Sequence, residues 1–94
     1  MKDIVPAQSR EALVSGDAVR KFLITELAAI LQVDEIQIDT SKPFDAYGLD
    51  STDAIIVVGL VEEQIGMELE PELLIRYRTI DEVVNSLRNL GRLS

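Results

Sequence analysis

The residue best suited to chemistry in this chain is a serine at a predicted junction between a loop and a helix. Ser51 directly follows Gly48-Leu49-Asp50, and a helical apolar pattern begins just after it. Serine and aspartate are preferred at helix N-caps, so one interpretation is that Ser51 only caps this helix. The other is covalent modification, because a hydroxyl at a helix N-terminus is exposed and the helix dipole stabilises an attached phosphate. Local chemistry alone favours the cap, since capping serines far outnumber modified ones.

The composition argues against most kinds of enzyme and metal site. The 94 residues include no Cys and no His. Without Cys there is no disulfide, thiolate nucleophile or Cys-based zinc site, and without His the commonest general base is missing. The acidic run at residues 45–53 is not an EF-hand, because such a loop starting at Asp45 needs Gly sixth and Glu twelfth, where the chain has Asp50 and Ile56. We expect no catalytic residues and no metal ligands.

The charge of the chain limits its partners. The formal net charge is −8, which repels nucleic-acid phosphates and anionic lipids, so neither nucleic acid nor a membrane is expected as a partner. No stretch approaches the roughly 20 apolar residues that span a bilayer, and no signal peptide is evident, which favours a cytoplasmic protein. Residues 43–75 contain eight acidic residues and no Lys or Arg, whereas the remainder is neutral. This local excess would steer basic partner proteins toward Ser51.

Four helices are predicted to position these residues. Apolar spacing predicts a first helix over about residues 16–32 and a second from Ser51 to Ile65, which Gly66 ends. Pro71 is predicted to lie near the first turn of a short third helix, and a capping box of Thr79 and Glu82 starts the fourth. The residues predicted to face the core of the first, second and fourth helices are Val19, Leu23, Leu27, Ile30, Leu31; Ala54, Val57, Val58, Val61, Ile65; and Ile80, Val83, Val84, Leu87, Leu90.

The organisation is therefore predicted to be an all-α four-helix bundle with a long first loop and a short third helix. That loop, residues 33–50, carries spaced apolar residues that would pin it to the core: Ile36, Ile38, Phe44, Tyr47 and Leu49. We expect residues 1–14 to be a partly ordered leader, residues 15–91 to be the domain and residues 92–94 to be a tail.

The stretch Tyr47-Gly48-Leu49-Asp50-Ser51 resembles the attachment motif of acyl carrier proteins, in which Gly-Leu-Asp-Ser opens the second helix. The resemblance also includes Pro43-Phe44 before the motif and residues 62–69 at the end of the second helix. Residues 73–80 resemble the segment into the fourth helix in carriers of modular polyketide synthases. Without gaps, the resemblance covers roughly residues 17–90.

This resemblance implies that Ser51 carries a 4′-phosphopantetheine arm, which a phosphopantetheinyl transferase transfers from coenzyme A. The thiol of the arm would hold an acyl group as a thioester, which explains why the chain needs neither Cys nor His. Asp50 would help to position the transferase. Further partners would be an acyl-loading or acyl-activating enzyme, a ketosynthase or acyltransferase, and tailoring enzymes, with the carrier itself a non-catalytic monomer.

The resemblance, the surplus apolar residues of the second helix and its negative charge together predict a surface for partner recognition. Its predicted members are Leu49, Thr52, Asp53, Ile55, Ile56, Gly59, Glu62 and Glu63. Thr52 stands where the family usually has a large apolar residue, and Arg78 replaces a usual Pro, a change expected to alter only a local turn. The surplus apolar residues of the second helix could enlarge the core, as we expect for Val58, or form a docking patch, as we expect for Ile55 and Ile56.

The function predicted on these grounds is that of a discrete acyl carrier protein of a polyketide or related natural-product pathway. Gly-Leu-Asp-Ser favours an acyl over a peptidyl carrier, and the start at Met1 favours a stand-alone protein over an excised megasynthase domain. The alternatives are a carrier of fatty-acid synthesis and an unmodified acidic helical adaptor in which Ser51 is a plain cap.

Overall fold

The computed structural model describes residues 14–94, and this range contains four α-helices and no β-strand. The helices are α1 (Gly16–Leu31), α2 (Ser51–Ile65), α3 (Leu73–Arg76) and α4 (Ile80–Asn89), and two 3-10 helices, Glu35–Gln37 and Phe44–Tyr47, lie between α1 and α2. The all-α class, the long first connection and the short third helix are confirmed. The predicted leader lies outside the described residues except for Val14. No helix in this range is long and apolar enough to cross a membrane.

The helix ends follow local capping chemistry. The Ser15 hydroxyl accepts a hydrogen bond from the Ala18 N–H at 3.0 Å at the start of α1, and Gly66, with φ 72°, ends α2. At α4 the Thr79 hydroxyl accepts from the Glu82 N–H at 3.0 Å, as the capping box requires. The second half of that prediction is wrong, because Glu82 Oε1 accepts from the N–H of Arg78 at 2.8 Å and not from that of Thr79.

The core is built from the apolar faces of all four helices. Its fully buried side chains are Val19, Leu23, Leu27, Val57, Val58, Val61, Ile80, Val83, Val84 and Leu87, all predicted to face inward. Burying each such side chain contributes roughly 1.5–3 kcal/mol relative to its exposed state. This packing fixes α2 against α1 and α3, and thereby fixes the position of Ser51.

Three predicted core residues are exposed. Ile30 lies at the edge of the apolar face of α1, and Leu90 lies beyond the end of α4, where its side chain no longer follows the helical face. Ile36 is 91% exposed, because the 3-10 helix Glu35–Gln37 in which it lies has no buried residue. Ile38, which caps the end of this helix, is buried instead. Apolar spacing alone does not say where a helical face ends or which side of a turn is covered.

The long connection is pinned to the core, as predicted. Phe44, Ile38 and Leu49 are buried, and the backbone N–H of Phe44 donates to the Arg78 carbonyl at 2.8 Å. The Tyr47 hydroxyl bonds the backbone of Asp39, donating to its carbonyl at 2.9 Å. The Asp39 carboxylate accepts from the Ser41 hydroxyl at 2.6 Å and from its N–H at 2.9 Å, which lowers the pKa of Asp39 below its usual 3.8.

The last residues pack against the start of the domain. Leu93 is buried in the core, and the Ser94 carbonyl accepts a hydrogen bond from the Gly16 N–H at 3.1 Å. The Ser94 N–H in turn donates to the Val14 carbonyl at 3.1 Å. Residues 92–94, predicted as a tail, therefore join the two ends of the described chain.

Candidate functional site

Ser51 is the first residue of α2, and Asp50 is its N-cap. Asp50 Oδ1 accepts from the Asp53 N–H at 2.8 Å, and Asp53 Oδ2 accepts from the Asp50 N–H at 3.5 Å, which completes a capping box. The interpretation of Ser51 as the cap is therefore wrong by one residue. Within residues 14–94 its exposed hydroxyl makes no hydrogen bond, so it is free to react.

The local electrostatics suit an attached phosphate. The first N–H groups of a helix have no partner within the helix and carry the positive end of its dipole. Asp50 engages the N–H groups of Asp53 and Ala54, which leaves those of Ser51 and Thr52 for a ligand or water. A phosphodiester on the Ser51 oxygen would lie beside these free donors, so the residues present fit the group.

A cavity of about 190 Å³ opens beside Ser51. The second 3-10 helix, the first turn of α2 and α3 supply its walls. The apolar part of the lining is Phe44, Leu49, Ala54, Leu74 and Ile75, and the polar part is Asp45, Asp50, Ser51 and Arg78. The cavity is large enough for a small apolar group, because a cavity of about 150 Å³ holds a benzene molecule.

Arg78 has a larger role at this cavity than the sequence suggested. Its guanidinium bonds the Asp45 carboxylate at 2.6 Å, and its backbone carbonyl accepts from the N–H of Phe44. The expectation that Arg78 alters only a local turn was therefore incomplete. Asp45 and Arg78 lie 33 residues apart, so no local pattern could have paired them.

The two isoleucines proposed as a docking patch are on the surface. Ile55 is 47% exposed and Ile56 is 53% exposed, whereas Val58 is buried, as expected. A shallow depression beside Ile56 is lined also by Gly59, Glu63 and Met67. A Cβ at Gly59 would meet no atom within 4 Å, so packing does not require glycine there.

Three other residues of the predicted recognition surface stabilise the fold. Leu49 is buried in the core and lines the cavity, so a docked protein would not reach it in this conformation. Asp53 belongs to the capping box. Glu62 Oε2 accepts from the Leu69 N–H at 2.6 Å and ties the end of α2 to the next connection. Exposed Thr52 and Glu63 remain free to meet a partner.

The fold and the site together define a carrier class of protein. An exposed, unengaged serine opens a helix beside an apolar cavity, and residues 14–94 contain no group of three or more acidic, Cys or His residues that could hold a metal ion. Such a site can present a group that is covalently attached to the serine oxygen.

The family follows from the sequence comparison. The model described as "phosphopantetheine attachment site" matches residues 21–87. The chain belongs to this family and is a carrier protein of the phosphopantetheine attachment type. The cofactor of the family is 4′-phosphopantetheine, and its members generally carry intermediates for biosynthetic enzymes and are not catalysts themselves.

The similar proteins are acyl and peptidyl carriers. A free-standing peptidyl carrier protein from a secondary metabolic pathway of Acinetobacter baumannii is 32% identical, with a TM-score of 0.74 over 82% of this chain and 96% of its own. Asl1650, an acyl carrier protein from Anabaena sp. PCC 7120 with a variant phosphopantetheinylation-site sequence, is 37% identical, with a TM-score of 0.73 over 81% of this chain and 86% of its own.

A much longer relative is also similar. The reducing polyketide synthase rdc5 of Metacordyceps chlamydosporia is 36% identical over 55 residues, which are 58% of this chain. The chain spans only 2% of the length of that protein. The similarity therefore concerns one segment of a large synthase.

Proposed function

We propose that Ser51 carries the 4′-phosphopantetheine arm and that the protein delivers acyl thioesters to enzymes of polyketide or related natural-product biosynthesis. The observation that carries this proposal is the exposed Ser51 hydroxyl, which the Asp50–Asp53 capping box leaves without a structural task. The proposal is supported by the phosphopantetheine attachment site model, which matches residues 21–87, a range that includes the Gly-Leu-Asp-Ser motif.

The residues around Ser51 would each support the carrier role. Asp50 fixes the first turn of α2, so that the hydroxyl is presented in one position to a phosphopantetheinyl transferase, and its carboxylate stays at the surface. The N–H groups of Ser51 and Thr52 offset the charge of the phosphodiester. The arm would supply the thiol that forms the thioester. The chain itself holds, orients and shields the group but does not catalyse its reactions.

The polyketide assignment is supported by the similarity to a reducing polyketide synthase and by the Gly-Leu-Asp-Ser motif. A specific observation favours a second candidate, because a peptidyl carrier is 32% identical and covers most of this chain. A peptidyl carrier would accept an aminoacyl group from an adenylating enzyme, so the identity of the activating enzyme separates the two functions.

Partner recognition would use the exposed part of α2. Ile55 and Ile56 offer apolar area next to Ser51, and Glu63 adds negative charge that attracts basic enzymes. The expected partners are the transferase, an acyl-loading or acyl-activating enzyme, a ketosynthase or acyltransferase, and tailoring enzymes. We also propose a monomer in the cytoplasm, on the sequence grounds given above.

The assignment is tested by loading the apo-protein. Coenzyme A and a broad-specificity phosphopantetheinyl transferase are added, and the intact mass is measured for the wild type, Ser51→Ala and Ser41→Ala. Ser41 is an exposed serine of the connection and serves as the matched control. We expect one phosphopantetheine on the wild type and on Ser41→Ala, and none on Ser51→Ala. No mass gain in the wild type, or an equal gain in Ser51→Ala, would contradict the proposal.

A further inference from the structure

Ser51 lies in an acidic part of the chain, and one basic side chain lines the same cavity. Residues 43–75 contain eight acidic residues and no Lys or Arg. Asp45 and Asp50 line the cavity beside Ser51, and Arg78 is the only basic residue among the described residues that line it. A phosphodiester on Ser51 would add a further negative charge here. Arg78 is therefore the side chain of the lining that can offset that charge.

The guanidinium of Arg78 still has free hydrogen-bond donors. Its Nη2 donates to Asp45 Oδ2 at 2.6 Å, and the guanidinium makes no other hydrogen bond within residues 14–94. Because a guanidinium carries five N–H donors in a planar fork, one edge with a pair of donors remains open beside this bond. Paired donors match the oxygens of a phosphate group, which is why arginine is favoured at phosphate sites.

The place of Arg78 beside the cavity is fixed by its backbone. Its N–H donates to Glu82 Oε1 at 2.8 Å, and its carbonyl accepts from the Phe44 N–H at 2.8 Å. The ion pair with Asp45 orients the guanidinium, and the Arg78 side chain is 59% exposed, so its free donors are accessible. Arg78 can therefore bind an anion without giving up its bond to Asp45.

We propose that Arg78, oriented by Asp45, binds the phosphodiester of the 4′-phosphopantetheine arm and sets the direction in which the arm leaves the start of α2. This inference rests on the proposed attachment at Ser51. The phosphate would be held from two sides, by the free N–H groups of Ser51 and Thr52 and by the guanidinium. Arg78 is a positioning residue, because it acts on the phosphate at the root of the arm and not on the thioester at its end.

The expected effect is modest, because the guanidinium is exposed to solvent. Exposed ion pairs shift an equilibrium by up to about five-fold. Attachment of the arm should therefore raise the folding equilibrium constant of the wild type about two- to five-fold more than that of Arg78→Ala. This difference should fall as salt is added, since screening weakens the attraction between exposed charges.

The test compares each apo-protein with its loaded form. Coenzyme A and a broad-specificity phosphopantetheinyl transferase load the wild type, Arg78→Ala, Arg78→Lys and Arg76→Ala, and intact mass checks that loading is complete. Arg76→Ala is the matched control, because it removes the same charge and breaks a pair with Glu70 of 3.3 Å, while Arg76 does not line this cavity. Urea unfolding of each apo-protein is the reference for its own loaded form, so any stability that the substitution itself costs cancels.

NMR reports on the contact directly. The phosphorus signal of the loaded wild type should differ from that of loaded Arg78→Ala, and the Nε–H signal of Arg78 should shift on loading while that of Arg76 does not. We expect Arg76→Ala to keep the phosphorus signal and the stability gain of the wild type. Arg78→Lys should be intermediate, because an ammonium keeps the charge but not the paired donors of the fork.

Distinct results overturn this inference or the proposed function. A phosphorus signal or a stability gain that is equal in the wild type and Arg78→Ala overturns the role of Arg78 and leaves attachment at Ser51 standing. An equal effect of Arg76→Ala also overturns it, because the effect would then come from the overall charge. Failure of the wild type to load at Ser51 overturns both.

Discussion

The capping geometry at the start of α2 makes a quantitative prediction that separates Asp50 from Ser51. Replacing a capping aspartate by alanine costs about 0.5–2 kcal/mol, and loss of its charge at the helix N-terminus adds about 0.3–1 kcal/mol. We therefore expect Asp50→Ala to lower the free energy of unfolding by about 1–2 kcal/mol. Because Ser51 is exposed and makes no hydrogen bond within residues 14–94, Ser51→Ala should change it by less than about 0.5 kcal/mol.

The measurement is urea unfolding of the apo-proteins, followed by circular dichroism, with the slope m checked for constancy. For a domain of this size each kcal/mol also shifts Tm by roughly 4–8 °C. Asp50→Asn is the matched control, because asparagine caps as well as aspartate and only the charge contribution is lost. If Ser51→Ala destabilises as much as Asp50→Ala, the serine caps the helix and the reasoning about its free hydroxyl is refuted.

The same control tests the role of Asp50 toward the transferase. Asp50→Asn keeps the first turn of α2 folded, so a slower gain of mass with coenzyme A would report a loss of recognition and not of structure. We expect such slowing, with an unchanged urea midpoint apart from the small charge effect. Loading at the wild-type rate would assign Asp50 to capping alone.

Three further predictions concern other parts of the molecule. Glu62→Ala should lower the free energy of unfolding by about 1 kcal/mol, because Glu62 Oε2 accepts a hydrogen bond from the Leu69 N–H at 2.6 Å. Glu63 is exposed, so Glu63→Lys should leave stability nearly unchanged but slow association with basic enzymes at low salt. Urea unfolding tests the stability of both variants, and association kinetics test the effect of the charge. Leu27→Ala should cost about 2–5 kcal/mol, because that side chain is fully buried, and Ile36→Ser should be nearly neutral in the same urea assay. The pKa of the Asp39 carboxyl is lowered in the folded state, so its contribution to folding stability is full above pH 3.8 and is lost as the pH falls below that value. Asp39→Asn should therefore make the stability less sensitive to acid. Identical acid unfolding curves for the wild type and the variant would contradict this prediction.

Much of the fold could be predicted from the sequence, because its determinants are local. The bounds of α2 agree with the predicted Ser51–Ile65, because the apolar spacing of the helix and the glycine that ends it, Gly66, are local signals in the sequence. The motif Gly48-Leu49-Asp50-Ser51 likewise indicated Ser51 as the candidate attachment residue from the sequence alone. Ile36 was wrongly predicted to face the core, because an apolar residue in a turn can point either toward the core or toward solvent.

The features of the site that required the structure are pairings between residues that no local rule connects. Which of two adjacent capping residues serves α2 depends on the reciprocal bond between Asp50 and Asp53. The sequence showed an acidic segment at residues 43–75, but only packing brings Arg78 from outside it onto Asp45 beside Ser51. Helical propensity and charge content depend on the residues of each segment, so they can be read from the sequence. A cavity and the ion pair beside it exist only where separate folded segments meet.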